Sequence, residues 1–277
     1  MLYTELDFKI SPLQPATEIL IAELSELDFE SFVENSQGLK AYVPTDLFEE
    51  SQVAQLFVMN SPEFNISYQV NQMADVNWNA KWESDYEAVI IENRCHIRAP
   101  FHSSIPEMEY EIEIEPKMSF GTAHHETTYQ MIHLLLDEEL SGKKVLDMGC
   151  GTAVLAILAK LKNAQDVHAI DNDEWAYNNS LENVKKNHFE DILVQQGDAT
   201  FLTGQKYDLI LANINKNILL KDMQTYAQSL EKNGQIFFSG FYTEDLQDIK
   251  NQAEKYGLTY QRHIYKNNWV AAVFATL

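Results

Sequence analysis

The chain has 277 residues, 45% of them hydrophobic, and a formal net charge of -22, so it has room for one large core or two domains. That charge argues against a protein that grips nucleic acid by its phosphates, which needs clustered Lys and Arg; it suits a basic substrate, or an acidic surface kept for solubility. With no run of about eighteen apolar residues and no signal-like start at Met1–Glu5, a cytoplasmic protein with no membrane partner is expected. The only cysteines, Cys95 and Cys150, form neither a disulfide framework nor a metal pattern.

Residues 3–10 alternate as a strand, and Ser11-Pro12 then opens an amphipathic stretch in which Ile19, Leu20, Leu24 and Leu27 recur at helical spacing. Phe32-Val33-Glu34 and the run Leu39 to Val43 flank Asn35-Ser36-Gln37-Gly38, a hairpin turn. Asp46 with Glu49 three residues on resembles a capping box and predicts a second helix reaching about Val58. Phe64 to Val70 alternates once more. The order strand, helix, strand, strand, helix, strand is that of a small ferredoxin-like α+β domain over residues 1–70.

From Gln72 to Tyr86 the alternation stops, and Trp78, Trp82 and Tyr86 stand four residues apart. This spacing predicts a linker helix over 71–86 with one aromatic stripe. Glu87 to Glu92 and Tyr110 to Ile114 read as strands, the second with glutamates on its outer face. The loop Phe120-Gly121-Thr122-Ala123-His124-His125-Glu126-Thr127-Thr128 then runs into a helix carrying Met131, Leu134, Leu135 and Leu136. Its adjacent histidines lack a third and fourth partner, so no metal site is expected.

Val145-Leu146, then Asp147, Gly149 and Gly151, then an apolar helix from Leu155 to Leu161, make a strand, a glycine turn and a helix. The dinucleotide fingerprint needs a third glycine, and Ala153 and Val154 stand at both plausible places. A second strand, Asp166 to Ile170, ends on Asp171, where a carboxylate receives two ribose hydroxyls. Ile192 to Val194 leads to Gly197-Asp198-Ala199, and Tyr207 to Asn213 is a fourth buried strand. Helices Ile218 to Leu230 and Thr243 to Tyr256 enclose a strand from Gln235 to Phe241, and Leu258 to Tyr265 with Trp269 to Thr276 closes the chain as an antiparallel pair. Strands alternating with helices imply a parallel sheet, and with the closing antiparallel pair the strands number seven.

The D-x-G-x-G turn and this element order resemble the class I S-adenosylmethionine (SAM)-dependent methyltransferases. More specifically, the chain resembles the bacterial methyltransferases of ribosomal protein L-eleven (L11), the PrmA type. Five features coincide in order: the small first domain, the Trp78/Trp82 linker, the Phe120-Gly121-Thr122 to Thr127-Thr128 loop, the Val145 to Gly151 turn, and Ala212-Asn213-Ile214. Asn268-Trp269-Val270 also resembles the family's ending. The resemblance implies a Rossmann-like methyltransferase domain over 87–277, a substrate-recognition role for 1–70, and L11 as protein partner. It implies SAM as cofactor, held by Thr128, Gly149, Gly151, Asp171, Asp198 and Asn213, with Asn213 also catalytic. The chain departs from the family's G-T-G-T-H-P-T-T loop at Ala123, His124 and Glu126, and has polar Asn215-Lys216-Asn217 where small or apolar residues are usual.

The residues fit such chemistry. Methyl transfer to an amine is an in-line displacement needing alignment and a neutral lone pair, and no dedicated nucleophile. Asn213 can accept a hydrogen bond from the amine and aim it, or simply cap its strand. Two alternatives stay open. An exocyclic-amine nucleic-acid methyltransferase usually has Asn-Pro-Pro and an aromatic where this chain has Asn213-Ile214-Asn215-Lys216. A SAM-binding module without catalysis is the other.

Overall fold

The computed structural model describes residues 3–72, 86–117 and 119–277. The chain divides into two compact units, Met1–Asp85 and Tyr86–Leu277. Of the linker helix expected over 71–86, residues 73–85, with Trp78 and Trp82, lie outside the described residues, and 71 and 72 end a strand instead.

In the first unit β1 (Tyr3–Ser11), α1 (Ala16–Ser25), β2 (Ser31–Asn35), β3 (Gly38–Pro44), α2 (Glu50–Gln55), α3 (Phe57–Asn60) and β4 (Asn65–Gln72) follow in order. The sheet order is β2-β3-β1-β4, and every neighbouring pair is antiparallel, the ferredoxin-like arrangement expected from the alternation. Leu6, Phe8 and Ile10 of β1 point one way, at the period of two a strand requires, and pack with Leu20 and Leu24 of α1. Asn35 Oδ1 holds the hairpin by accepting from the N–H groups of Gln37 and Gly38 (2.8 and 3.1 Å).

One expectation fails here. The single helix starting near Asp46 is two short ones, broken at Leu56, whose backbone is non-helical (φ -56, ψ 140), and Glu49 at the N-cap makes no side-chain cap. The second piece is held from outside: the N–H groups of Phe57 and Val58 donate to the Glu23 carboxylate of α1 (2.9 and 3.0 Å). An anion at a helix start satisfies groups that have no partner within the helix.

The second unit opens with β5 (Val89–Ile91), β6 (Cys95–Arg98) and β7 (Tyr110–Glu113), a three-stranded sheet in which β6 and β7 run parallel. The periodicity reading gave two strands here and missed β6. Glu111 fastens this sheet to its loops. Burial alone would raise its carboxyl, but the Ile105 N–H, Arg98, Ser104 and His96 hold it down at about 2.

The main sheet comprises β8 (Lys144–Met148), β9 (Asp166–Asp171), β10 (Leu193–Gln196), β11 (Tyr207–Asn213), β12 (Leu230–Tyr242), β13 (Thr259–Lys266) and β14 (Trp269–Ala275). Its order is β10-β9-β8-β11-β12-β14-β13, parallel from β10 to β12, with β14 antiparallel to both its neighbours. Alternate residues feed separate cores on its two faces: Val145, Leu209 and Leu211 in one, Leu146, Ile210 and Ala212 in the other. Helices α4 (Glu126–Leu136), α5 (Val154–Leu161) and α6 (Glu174–Lys186) serve the first face, and α7 (Lys216–Gln228) and α8 (Leu246–Lys255) the second. Burial on both faces is why these strands read as continuous apolar runs. Strand order reverses between β8 and β11, and a crevice at the carboxyl ends of the strands is where such sheets bind ligands. No helix among the described residues is long and apolar enough to cross a membrane.

Candidate active site

The crevice is built on the glycine turn. As β8 ends, the N–H groups of Gly149 and Cys150 both donate to the Ile170 carbonyl of β9 (2.8 and 3.1 Å). Gly149 has φ +70, and a Cβ there would lie 2.2 Å from Ile214 Cγ2; Gly151 has φ +54, and a Cβ there would lie 2.2 Å from the Phe120 carbonyl oxygen. A side chain is strained at either position by the positive φ, and at Gly151 it would also run into backbone. Ala153, where the family often has glycine, takes the same left-handed backbone (φ 63), at a cost of roughly 1–2 kcal/mol for an L-residue.

The Phe120–Thr128 loop lies directly on this turn. The Phe120 carbonyl accepts from the Thr152 N–H (2.9 Å), and Thr152 Oγ1 donates to the Gly121 carbonyl (2.7 Å). Each residue by which the loop departs from its family pattern has a structural task. Ala123 is buried at φ 67. His124 pairs through its two ring nitrogens with Thr122 Oγ1 (3.1 Å) and the Glu87 carbonyl (2.8 Å). Glu126 accepts from Asn267 Nδ2 (2.8 Å), which holds its carboxyl below the usual range. His125 caps α4, its Nδ1 accepting from the Thr127 N–H (3.3 Å).

Beneath the loop lies a cavity of about 880 Å³ lined by Phe120, Gly149, Gly151, Asp171, Trp175 and Asn213 among others, of the size that small-ligand sites have. Asp171 Oδ2 accepts from the Gly151 N–H (2.9 Å) and Oδ1 from the Asp173 N–H (3.0 Å), so its carboxylate is fixed on the cavity wall beside the turn. Asn213 Nδ2 donates to Thr128 Oγ1 (3.3 Å), while its Oδ1 is buried with no partner among the described residues. A buried, unpaired acceptor is costly unless a ligand donor meets it. Two bare glycines, a fixed carboxylate and an unpaired amide oxygen on one cavity fit S-adenosylmethionine.

Not every expected contact comes together. Thr128 is buried and faces Asn213, so it positions that amide and does not line the main cavity. Asp198 also stays outside the lining; its carboxylate caps a short 3-10 turn, accepting from the N–H and hydroxyl of Thr200 (2.9 and 2.6 Å). Trp175 was not anticipated. It is 81% exposed at the start of α6 and lines the cavity, and an aromatic four residues after Asp171 is the only sequence signal it gives. Asp147, the first residue of the D-x-G-x-G turn, is buried below the cavity and accepts from the Ala156 N–H (3.1 Å). Burial pushes its carboxyl up to about 7, a rise the Ala156 N–H opposes and the Asp171 charge reinforces.

A second cavity of about 240 Å³ shares Phe120, Asn213 and Ile214 with the first and adds His125, Thr127, Asn215, Gly240 and Trp269. Gly240 sits in a bulge of β12 at φ +90, where a Cβ would meet the Ile214 carbonyl at 2.3 Å. Asn213 thus lines both of these cavities.

The model of the family described as ribosomal protein L11 methyltransferase (PrmA) matches residues 15–276. The ribosomal protein L11 methyltransferase of Bacteroides fragilis is 45% identical over 278 residues, covering 99% of each chain. Its counterpart from Porphyromonas gingivalis is 44% identical over 265 residues, 95% of this chain and 91% of the other. That of Chlorobaculum tepidum is 36% identical over 283 residues, 98% and 96% of the two. Among solved structures, the ribosomal protein L11 methylase of Lactobacillus delbrueckii subsp. bulgaricus superposes with a TM-score of 0.65 at 24% identity, covering 69% of this chain and 99% of that one, and it shares the fold. With nearly the whole length matched in one family and the glycine turn, threonine loop and Asn213 gathered on one crevice, the chain belongs to the ribosomal protein L11 methyltransferase family.

Proposed function

We propose that this protein transfers methyl groups from S-adenosylmethionine to amino groups of ribosomal protein L11, lysine side chains and/or the N-terminal amine, in the cytoplasm. The observation that carries this reading is Asn213, whose unpaired Oδ1 is buried and which lines both the cofactor-sized cavity and the second one. When bound, S-adenosylmethionine supplies a methyl group on a sulfonium whose sulfur leaves with the bond's electron pair. The protein's own residues do the rest. Gly149 and Gly151 let backbone approach the ligand, and the Asp171 carboxylate receives the ribose hydroxyls. Asn213 Oδ1 accepts a hydrogen bond from the acceptor amine, and Thr128 fixes the amide so that its oxygen faces the amine. Holding both reactants in line is worth roughly 7–11 kcal/mol of barrier. A lysine amine has an ordinary pKa of about 10.4, and withdrawal from water favours its neutral, reactive form.

In this reading residues 1–70 recognise the substrate, 71–86 join the domains and 87–277 carry the chemistry. The net charge of -22 suits a basic protein partner. Incubation with S-adenosylmethionine and undermethylated L11, followed by intact mass measurement of L11, should show successive single-methyl increments. Cofactor binding with no change in L11 mass would refute the transferase reading and leave a non-catalytic binding module.

A further inference from the structure

Beyond β7 the chain runs toward the cofactor-sized cavity, and there a helix takes the place of a neighbouring strand. Along residues 113–115 the backbone N–H groups alternate in direction, as extended chain requires. The Ile114 N–H donates to the Arg98 carbonyl of β6 (2.8 Å). Those of Glu113 and Glu115 point the other way, to asparagines of α6 and its end: Glu113 donates to Asn187 Oδ1 (2.9 Å) and Glu115 to Asn183 Oδ1 (2.8 Å). Four helical residues rise about 6 Å and two strand residues about 6.7 Å, so asparagines four apart meet every second N–H of a chain running the opposite way. Ion pairs brace these rungs, Glu115 with Lys186 at 2.8 Å and Lys117 with Glu182.

The series of asparagines continues one step further than its hydrogen bonds. Asn179 stands four residues before Asn183 and is 2% exposed. Its Nδ2 donates to the Glu115 carbonyl (3.4 Å), yet its Oδ1 is buried with no partner among the described residues, a costly state for an acceptor. Pro116 has no N–H to place, so the next donor due on this side of the chain is Lys117. Lys117 and Phe120 line the cofactor-sized cavity, and so do Trp175 and Ala176, one helical turn before Asn179. A ligand in this cavity is therefore bounded both by the chain that carries the donor and by the helix that carries the acceptor.

Granted that this cavity seats S-adenosylmethionine, as the reading above holds, we propose that Asn179 is a positioning residue for the cofactor: with the ligand bound, the Lys117 N–H donates to Asn179 Oδ1 as a third rung, and that bond holds Lys117 and Phe120 against the ligand. Amide hydrogen exchange in the full-length protein, resolved at Lys117, is the measurement. Saturation with S-adenosylhomocysteine should slow exchange at Lys117 at least about tenfold, while Glu113 and Glu115, bonded already, stay protected to the same degree with and without it. Asn179→Leu, close in volume and lacking an acceptor, should abolish the added protection and raise the Kd for S-adenosylhomocysteine about fivefold, as loss of one net hydrogen bond does. Lys117→Pro removes the donor instead, and Lys117→Ala controls for the lost ion pair with Glu182. Lys117→Pro should bind about fivefold more weakly than Lys117→Ala, and this pair carries the test if Asn179→Leu does not fold.

Exchange at Lys117 that is indifferent to the ligand overturns the proposal. So does ligand-induced protection that survives in Asn179→Leu, whatever its Kd, since Asn179 would then be a packing residue only. Protection lost at a wild-type Kd shows a rung that does not hold the cofactor, and overturns the positioning role too. Equal Kd values in Lys117→Pro and Lys117→Ala do the same. Wild-type protein that shows no calorimetric binding of S-adenosylhomocysteine refutes the cofactor seat itself, a result distinct from the others.

Discussion

Asn213 and Asp171 both face the cofactor-sized cavity, yet their chemistry separates them. Asp171 is a fixed carboxylate, so Asp171→Ala should weaken S-adenosylmethionine binding by about 1–3 kcal/mol, the usual loss of a hydrogen bond to a charged group. Asn213→Ala should instead lower kcat well beyond its effect on cofactor affinity, since the proposed function gives its oxygen to the amine. Calorimetry beside single-turnover rates checks the pair, and a wild-type rate in Asn213→Ala would leave that residue a structural one. Asp147 offers a test by pH. Its carboxyl is raised to about 7 in the fold, against an unfolded value near 3.9. Between those values the native state binds a proton that the unfolded chain does not. This contribution to stability is therefore largest near pH 4, falls as pH rises to about 7, and stays lost above it, by on the order of 4 kcal/mol. Asp147→Asn should flatten that slope in urea unfolding of the ligand-free protein at pH 5 and 8; parallel behaviour of the two proteins would refute it.

Between residues and the whole lies the loop on the turn. Gly151 is where the two elements touch, and Gly151→Ala would place a methyl 2.2 Å from the Phe120 carbonyl in a left-handed backbone. Phe120 must then move off the cavity it lines, so the Kd for S-adenosylhomocysteine should rise at least tenfold, with about 1–3 kcal/mol lost in stability. An unchanged Kd would show that the loop need not lie on the turn. Much of this element-level organisation was legible in the sequence. Period-two alternation marked β1 and β4, continuous apolar runs marked β8, β9 and β11, and glycines marked the turn. The rest was hidden because it is non-local. Glu23 starts a helix more than thirty positions away, so the break at Leu56 leaves no trace near Asp46. The four residues of β6 are too short to show a period, and their parallel partner lies beyond a loop. Asp198 is the local exception, its Oδ1 accepting from both the N–H and the hydroxyl of Thr200 two positions on. Trp269 lies far from Asn213 in sequence, and only the closing strands bring it to the second cavity.

At the scale of the molecule, the described residues form three buried hydrophobic cores. One contains only residues of the first unit, from Leu6 to Val58; the other two lie on opposite faces of the large sheet and contain only residues from Ile91 onward. Each unit thus has a buried apolar cluster of its own among the described residues. The described residues that line the two cavities belong to the second unit, and the first carries no chemistry-bearing motif of its own. The proposed function assigns recognition to the first unit and transfer to the second. A protein beginning at Tyr86 should keep cooperative unfolding and bind S-adenosylhomocysteine within about twofold of the full chain, because the described residues of its two cores and both cavities all lie after Tyr86. Its methylation of L11 should disappear, because productive approach of a large substrate depends on the missing surface. Mass spectrometry of L11 after incubation with the truncated protein checks this directly. Full activity there would move substrate recognition into the second unit and leave the ferredoxin-like sheet without the role assigned to it.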